Sequence, residues 1–300
     1  MLHRAPEPVA SPADPRLAPY ANLKDSQLRR AEFEGRTPAF ICESELVVRA
    51  LLESDWPVHS VLCDPATLPR LEPAILAARA ARAGRDDADF PVFTAGDDTL
   101  HAITGFAFHR GVLAAGLRRT PLALDALLDR ARVLLVLEGL SNHDNVGAIF
   151  RNAAALAGDA AGVILDPHCC DPLYRKAVRV SVGHVLRVPW SIVQPITPTP
   201  LAVGEPPANP LLDTLAHLRA RGVRTIALSP RADATPIADL RDQLRAQSKT
   251  PVALLLGAEG PGLTAAAMDH ADVLCKIPMA KGVDSLNVAT TAAIALSWLA

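Results

Sequence analysis

The chain has 300 residues, 50% of them hydrophobic but only 4% aromatic, and a formal net charge of −2. That length provides for two domains with aliphatic cores, and the charge excludes a polycationic nucleic-acid binder while leaving room for a local basic face. No apolar stretch of about 18 residues is free of charges or breakers, and the N-terminus lacks the apolar centre of a signal peptide, so a soluble cytoplasmic protein without membrane contact is expected.

In chain order, residues 1–15 hold four prolines and are expected to form a mobile, disordered tail. A small α/β domain is expected over 16–119. It would hold helix 25–34, strand 39–42, a helix over Glu45–Glu53 capped by Ser44, strand 58–63, helix 71–82, and strands 91–93 and 111–115. Residues 120–130 read as a linker with a short helix. The second domain, 131–300, opens on 132–138, an uninterrupted apolar run of the kind buried on both faces of a parallel sheet. Helix 146–156, strand 162–165, a basic loop-helix 168–179 and strand 184–188 follow. After them come helix 211–221, strand 225–229, helix 237–246, strand 252–256, helix 263–270, strand 273–277 and a terminal helix 285–299. Such alternation predicts a parallel sheet with helices on both faces. Residues 189–210 hold seven prolines and read as an exposed, Pro-rich insertion loop.

The polar residues gather at strand ends, where open α/β sheets bind their ligands. Gly257-Ala-Glu-Gly-Pro-Gly262 follows one strand. Its glycines allow close backbone approach, but it is neither a Walker loop nor a G-x-G-x-x-G fingerprint, and taken alone it reads first as a ligand-free strand-to-helix turn. Asn145-Val-Gly-Ala-Ile-Phe-Arg151 opens the helix after the first buried strand; Asn145 can cap, and Gly147 admits an anion to the helix N-terminus. Arg151, among apolar neighbours, calls for a phosphate or for a carboxylate such as Glu138 or Asp144. Ser285 reads as the N-cap of the last helix, and Asn287 offers a donor and an acceptor in its first turn. The five cysteines are scattered without a Cys-x-x-Cys pair, which points to reduced thiols. In His168-Cys169-Cys170-Asp171 the adjacent cysteines are poorly placed to share one zinc, so no metal is expected.

Together, Asn145-x-Gly147-x-x-x-Arg151, Gly257-x-Glu259-Gly260-x-Gly262 and Ile277-Pro278-Met279 with Ser285-Leu286-Asn287 resemble the three signature motifs of the SpoU/TrmH family, in the SPOUT superfamily. Asp171-Pro172, Lys176, Arg179, Ser181 and Gly183 are similar to the family's intervening segment. The likeness spans 132–300. Phe40-Ile-Cys-Glu43 and Gly105-Phe-Ala-Phe-His-Arg-Gly-Val112 resemble the family's small substrate-binding domain, although Glu43-Ser44 stands where Glu-Gly is usual and His109-Arg110-Gly111 where His-Gln-Gly is usual.

The resemblance implies an RNA 2′-O-ribose methyltransferase acting on tRNA or rRNA with S-adenosylmethionine as cofactor. It also implies a C-terminal deep trefoil knot and a homodimer. On it, Arg151, Asn145, Glu259, Ser285 and Asn287 would form the catalytic set. Leu255, Leu256, Gly257, Gly260, Ile277, Met279 and Leu286 would hold the cofactor through backbone groups. Arg175, Lys176 and Arg179 belong to a segment, 168–190, where four cations oppose one aspartate; with Arg29, Arg30, Arg36, Arg118 and Arg119 they are candidate RNA contacts. A non-catalytic RNA-binding protein retaining the fold is the alternative, and the intact motif set speaks against it. A different α/β nucleotide-binding enzyme is a third reading, weakened by the missing fingerprints.

Overall fold

Apolar runs of strand length and apolar stripes of helical period segregate into two sheets with their own helices. The structure, a computed structural model, describes residues 4–21, 38–104, 111–193, 209–240 and 250–299. It divides into two compact units, Met1–Thr120 with Pro172–Arg187, and Pro121–Asp171 with Val188–Ala300.

The first unit holds β1 (Glu7–Pro8), β2 (Ala39–Glu43), α1 (Glu45–Glu53), β3 (Val58–Cys63), α2 (Leu68–Ala81), β4 (Val92–Thr94), α3 (Asp97–Thr104) and β5 (Val112–Leu117). Its sheet runs β1-β4-β3-β5-β2, with β5 antiparallel to both neighbours. The expected tail, 1–15, is instead partly built into this unit: β1 pairs with β4, and Val9, beside Leu17 and Tyr20 of the segment that follows, is buried in the core with Ile41, Leu62 and Phe93. An edge strand tolerates Pro8, which has no N–H to offer, and the apolar side chains between the prolines supply the packing. Ser44 does not cap α1 through its side chain; it sits at φ 88°, a conformation better suited to the glycine usual there. Helix 25–34 and most of 105–112 lie outside the described residues.

The second unit is built on a seven-stranded sheet whose strand pairs are all parallel. In chain order it holds α4 (Leu124–Leu128), β6 (Val133–Glu138), α5 (His143–Ala157), β7 (Ala161–Leu165), β8 (Trp190–Ile192), α7 (Pro210–Ala220), β9 (Arg224–Leu228), β10 (Thr235–Pro236), β11 (Val252–Gly257), α8 (Ala265–His270), β12 (Val273–Lys276) and α9 (Val288–Leu299). The order β10-β12-β9-β11-β6-β7-β8 puts β11 and β6 at the centre, which is why both read as unbroken apolar runs. The short helix expected within 120–130 is α4, and its Leu127 is buried in the core with Leu134, Leu215 and Leu255. Residues 237–240 are helical and the rest of helix 237–246 lies outside the described residues, as do 194–208 of the Pro-rich stretch. α9 packs on α5, where Asn152 Nδ2 donates to the Ala289 carbonyl at 2.8 Å. Among the described residues no helix is long and apolar enough to cross a membrane.

Two expectations between β7 and α7 are corrected. The strand expected over 184–188 is a 3-10 turn, His184–Leu186, because Val182 (φ 53°) and Gly183 (φ 79°) break the extended backbone; the strand forms at β8, inside the stretch read as insertion. The preceding α6 (Arg175–Val180) belongs to the first unit. There it lies on β2, Trp56 Nε1 donates to the Leu186 carbonyl at 3.2 Å, and Arg187 pairs with Glu53. Gly183 is required at this contact, since a Cβ would lie 2.5 Å from that of Ala50.

Candidate functional site

The site forms beyond the carboxyl ends of β11 and β12. Gly257 ends β11 where a Cβ would stand 2.1 Å from the Leu263 nitrogen, so no other residue fits without displacing backbone. Gly260 (φ 90°) and Gly262 (φ 72°) let the chain double back, and Gly262 N–H donates to the Ala258 carbonyl at 2.9 Å. The loop leaves through Thr264, whose hydroxyl oxygen accepts from Ala267 N–H at 3.2 Å and caps α8. The Glu138 carboxylate at the end of β6 receives Thr264 N–H at 2.9 Å and its hydroxyl at 2.8 Å.

The loop after β12 ends at Asn287. Its Oδ1 accepts from Ala289 N–H at 2.9 Å and Thr290 N–H at 3.2 Å, which makes Asn287 the cap of α9, the task expected of Ser285. Its Nδ2 donates to Asn145 Oδ1 at 2.9 Å and to Glu259 Oε1 at 3.0 Å. One side-chain amide thus ties together three segments far apart in sequence. Asn145 is buried in the first turn of α5 and does not cap it; Asn142 does, accepting from Asp144 N–H at 2.9 Å.

A cavity of about 700 Å³ opens beside this tie. Leu256, Gly257, Gly260, Ile277, Met279 and Leu286, the expected cofactor residues, are among those that line it, together with Glu259, Ser285 and Asn287. Leu255, expected to act through its backbone, is absent from the lining; its side chain alternates to the opposite face of β11 and is buried in the core. Leu228, the last residue of β9, and Ser229, Pro230 and Arg231 beyond it also line the cavity and were missed. The rule that strand ends bind ligands covers them, but β9 had first to be known as the neighbour of β11. Cys275 closes part of the wall, and burial pushes its thiol up to about 11, so it stays protonated.

Arg151 is not brought into this set. It is exposed, stands off the cavity wall and makes no ion pair among the described residues. Glu138, one of its two expected partners, is spent on Thr264. Among the candidate RNA contacts, Lys176 is exposed, while Arg179 and Arg175 lie 3.5 and 4.0 Å from the buried Glu43 carboxylate. Arg118 Nε donates to the Ala39 carbonyl at 3.0 Å, and the Arg119 guanidinium stacks 4.3 Å from the centre of the Trp56 ring. Arg29, Arg30 and Arg36 lie outside the described residues.

Known proteins share both the sequence and the shape. The sequence profile of the SpoU rRNA Methylase family matches residues 132–297. An uncharacterized tRNA/rRNA methyltransferase of Mycobacterium bovis is 37% identical over 287 residues, 96% of this chain and 89% of its own. A 23S rRNA (guanosine-2′-O-)-methyltransferase, RlmB of Ralstonia nicotianae, is 34% identical over 206 residues, 67% of this chain and 73% of its own. The crystal structure of an AdoMet-bound rRNA methyltransferase from Sinorhizobium meliloti covers 98% of this chain and 97% of its own with a TM-score of 0.72 at 24% identity, a likeness of fold.

Proposed function

The chain belongs to the SpoU rRNA methylase family, and from that premise we propose that it transfers a methyl group from S-adenosylmethionine to a ribose 2′-hydroxyl of a structured tRNA or rRNA. One observation carries this reading: the Asn145–Asn287–Glu259 tie, two of whose members line a cavity of about 700 Å³.

The cavity suits such a donor. Small-molecule sites are concave, of about 300–1,000 Å³, mostly apolar with a few placed polar groups. Leu256, Ile277, Met279 and Leu286 offer apolar surface for an adenine and a methionine chain, and the backbone of Gly257 and Gly260 allows close approach. The donor, when bound, supplies an electrophilic sulfonium methyl. The protein's task is then to align the hydroxyl with it, and such alignment contributes up to ~7–11 kcal/mol in well-oriented reactions.

Glu259 and Asn287 hold and orient the hydroxyl; Asn145 fixes Asn287 from beneath; Ser285 shapes the loop. Arg151 binds the phosphate beside the target ribose and stabilises the negative charge that develops on the 2′-oxygen as its proton passes to solvent. It is no general base, because a guanidinium with a pKa above ~12 is almost never neutral. Lys176, Arg175 and Arg179, with Arg29 and Arg30, are assigned to RNA contact. The same reading includes a deep trefoil knot, a homodimer packed through the C-terminal region, and a cytoplasmic setting with the RNA. The return of α9 onto α5 and β11 supports the knot, against the rarity of knots in general.

Incubation with methyl-labelled S-adenosylmethionine and bulk RNA tests the proposal. Label should enter RNA and persist in alkali-resistant dinucleotides, because a 2′-O-methyl group blocks alkaline cleavage; mass spectrometry of RNA from a deletion strain then locates the nucleotide. RNA binding without methyl transfer would instead favour the non-catalytic alternative.

A further inference from the structure

Glu138 has no assigned role, yet it is a carboxylate 8% exposed at the end of an otherwise apolar strand. Burying it is costly unless its oxygens are satisfied. Both are, by a single residue. Thr264 gives its N–H to one oxygen and its hydroxyl proton to the other, at 2.9 and 2.8 Å. The threonine oxygen keeps a lone pair for Ala267 N–H, at 3.2 Å. That last bond alone caps α8, so the Glu138 contact is not needed to start the helix; it adds a tie between β6 and the point where the glycine loop ends.

The loop's other restraints make the position of this tie informative. Its entrance is held by the ladder, in which Gly257 is the register partner of Glu138. Its middle is closed by the Gly262-to-Ala258 hydrogen bond. Its exit is held by Glu138. Glu259 sits between, reaching Asn287 with one oxygen. A loop fixed at both ends presents its backbone to the cavity in one shape and keeps Glu259 in place; a loop released at its exit does neither.

We propose that Glu138 is a positioning residue that, through Thr264, locks the 257–263 loop into the shape that binds the methyl donor. This rests on the functional reading above, in which that loop lines the donor site. The test uses the full-length chain as Glu138→Ala, Glu138→Gln, Thr264→Val, and the Glu138→Ala/Thr264→Val double variant. Calorimetry gives the Kd for S-adenosylmethionine well below each melting midpoint, and amide hydrogen exchange is followed across 257–264 and, as an internal control, across β9.

Glu138→Ala should weaken donor binding by ~10- to 100-fold, the loss of a charge-assisted contact, and speed exchange at 258–264 while leaving β9 unchanged. Glu138→Gln should recover most of both, because its amide can still serve the Thr264 N–H and hydroxyl oxygen. Adding Thr264→Val to Glu138→Ala should weaken Kd little further, as expected for two residues acting as one unit. A lower melting midpoint with unchanged Kd and loop exchange would overturn the proposal, and so would fully additive effects on Kd. Should the wild type take up no donor, the functional reading fails; faster loop exchange in Glu138→Ala, rescued by glutamine, would still uphold the lock, and unchanged exchange would overturn it.

Discussion

Asn145 and Arg151 belong to one motif on one helix and have opposite surroundings. Asn145 is buried and accepts a hydrogen bond from Asn287. Arg151 is exposed and pairs with no described residue. A polar group fixed before the substrate arrives needs no reorganisation during reaction, which is the advantage of a preorganised site. An arginine held for a phosphate gains from the reverse arrangement. Burying it unpaired would be prohibitive, and pairing it with a carboxylate would make the phosphate compete. Half of the motif is thus finished by folding, and in the function proposed above the other half is left for the substrate to complete.

The largest effect should come from the unfinished half. Arg151→Ala should lower kcat by ~10²-fold or more, the range seen when a single stabilising donor is removed. The calorimetric Kd for S-adenosylmethionine and the melting midpoint should stay near wild type, since the side chain is exposed and does not line the cavity. Loss of cofactor binding in this variant would erase the contrast with Asn145.

The finished half should behave differently, because its hydrogen bonds also support the fold. Asn287→Ala removes the cap of α9 together with both links to Asn145 and Glu259. Stability should fall by ~1–2 kcal/mol from the lost cap, measured by urea unfolding, and kcat should fall with it. In a cycle with Asn145→Ala the two substitutions should be strongly non-additive in kcat; additive losses would mean that Asn145 acts independently.

How much of this was legible in the sequence depended on whether a residue's role is local. Apolar runs such as 133–138 and 252–256 announced buried parallel strands, and the glycines of 257–262 announced a sharp loop. Motif spacing brought Asn145, Glu259 and Asn287 forward as candidates. What stayed hidden was set by tertiary choice. Asn142 and Asn145 both suit a helix N-cap, as do Ser285 and Asn287, and only the path of the chain decides between them. Alternation along β11 turned Leu255 away from the cavity, and the phase of that alternation depends on which helices cover each face. Arg231 entered the wall because β9 neighbours β11. The attachment of α6 to the first unit depends on Glu43 and Ala50, more than a hundred positions earlier.

Gly257→Ala bears on the same contrast from the loop side. The new methyl would sit 2.1 Å from the Leu263 nitrogen and 2.2 Å from the Gly262 carbonyl carbon, both backbone atoms that cannot swing aside. Displacing the loop should cost ~1–3 kcal/mol of stability, the usual range for overpacking, and weaken donor binding by at least ~10-fold on the same scale. Arg151 should be unaffected, so residual RNA binding, read by filter retention, should match wild type. Loss of RNA binding would show that the two halves are not separable.

The smallest effect sharpens the comparison by testing whether a satisfied polar group is by itself a sign of function. Asp272 is held as firmly as Asn145 but away from the tie, accepting from Thr225 N–H and hydroxyl at 2.8 Å each and from Arg219 Nε at 3.0 Å. Partial burial pushes its carboxyl up, and the Thr225 and Arg219 hydrogen bonds outweigh that and hold it below the usual range. In the unfolded chain its pKa returns to about 3.9, so the unfolded state takes up the proton first as pH falls. The stability it contributes is complete above that value and is lost as pH drops through the lower folded one. Asp272→Asn should therefore cost about 1 kcal/mol or less near neutrality, flatten the acid limb of a urea-unfolding series, and leave kcat alone. If kcat fell as it does for Asn287→Ala, being well bonded would account for the behaviour of Asn145 and Asn287, and their place beside the cavity would lose its meaning.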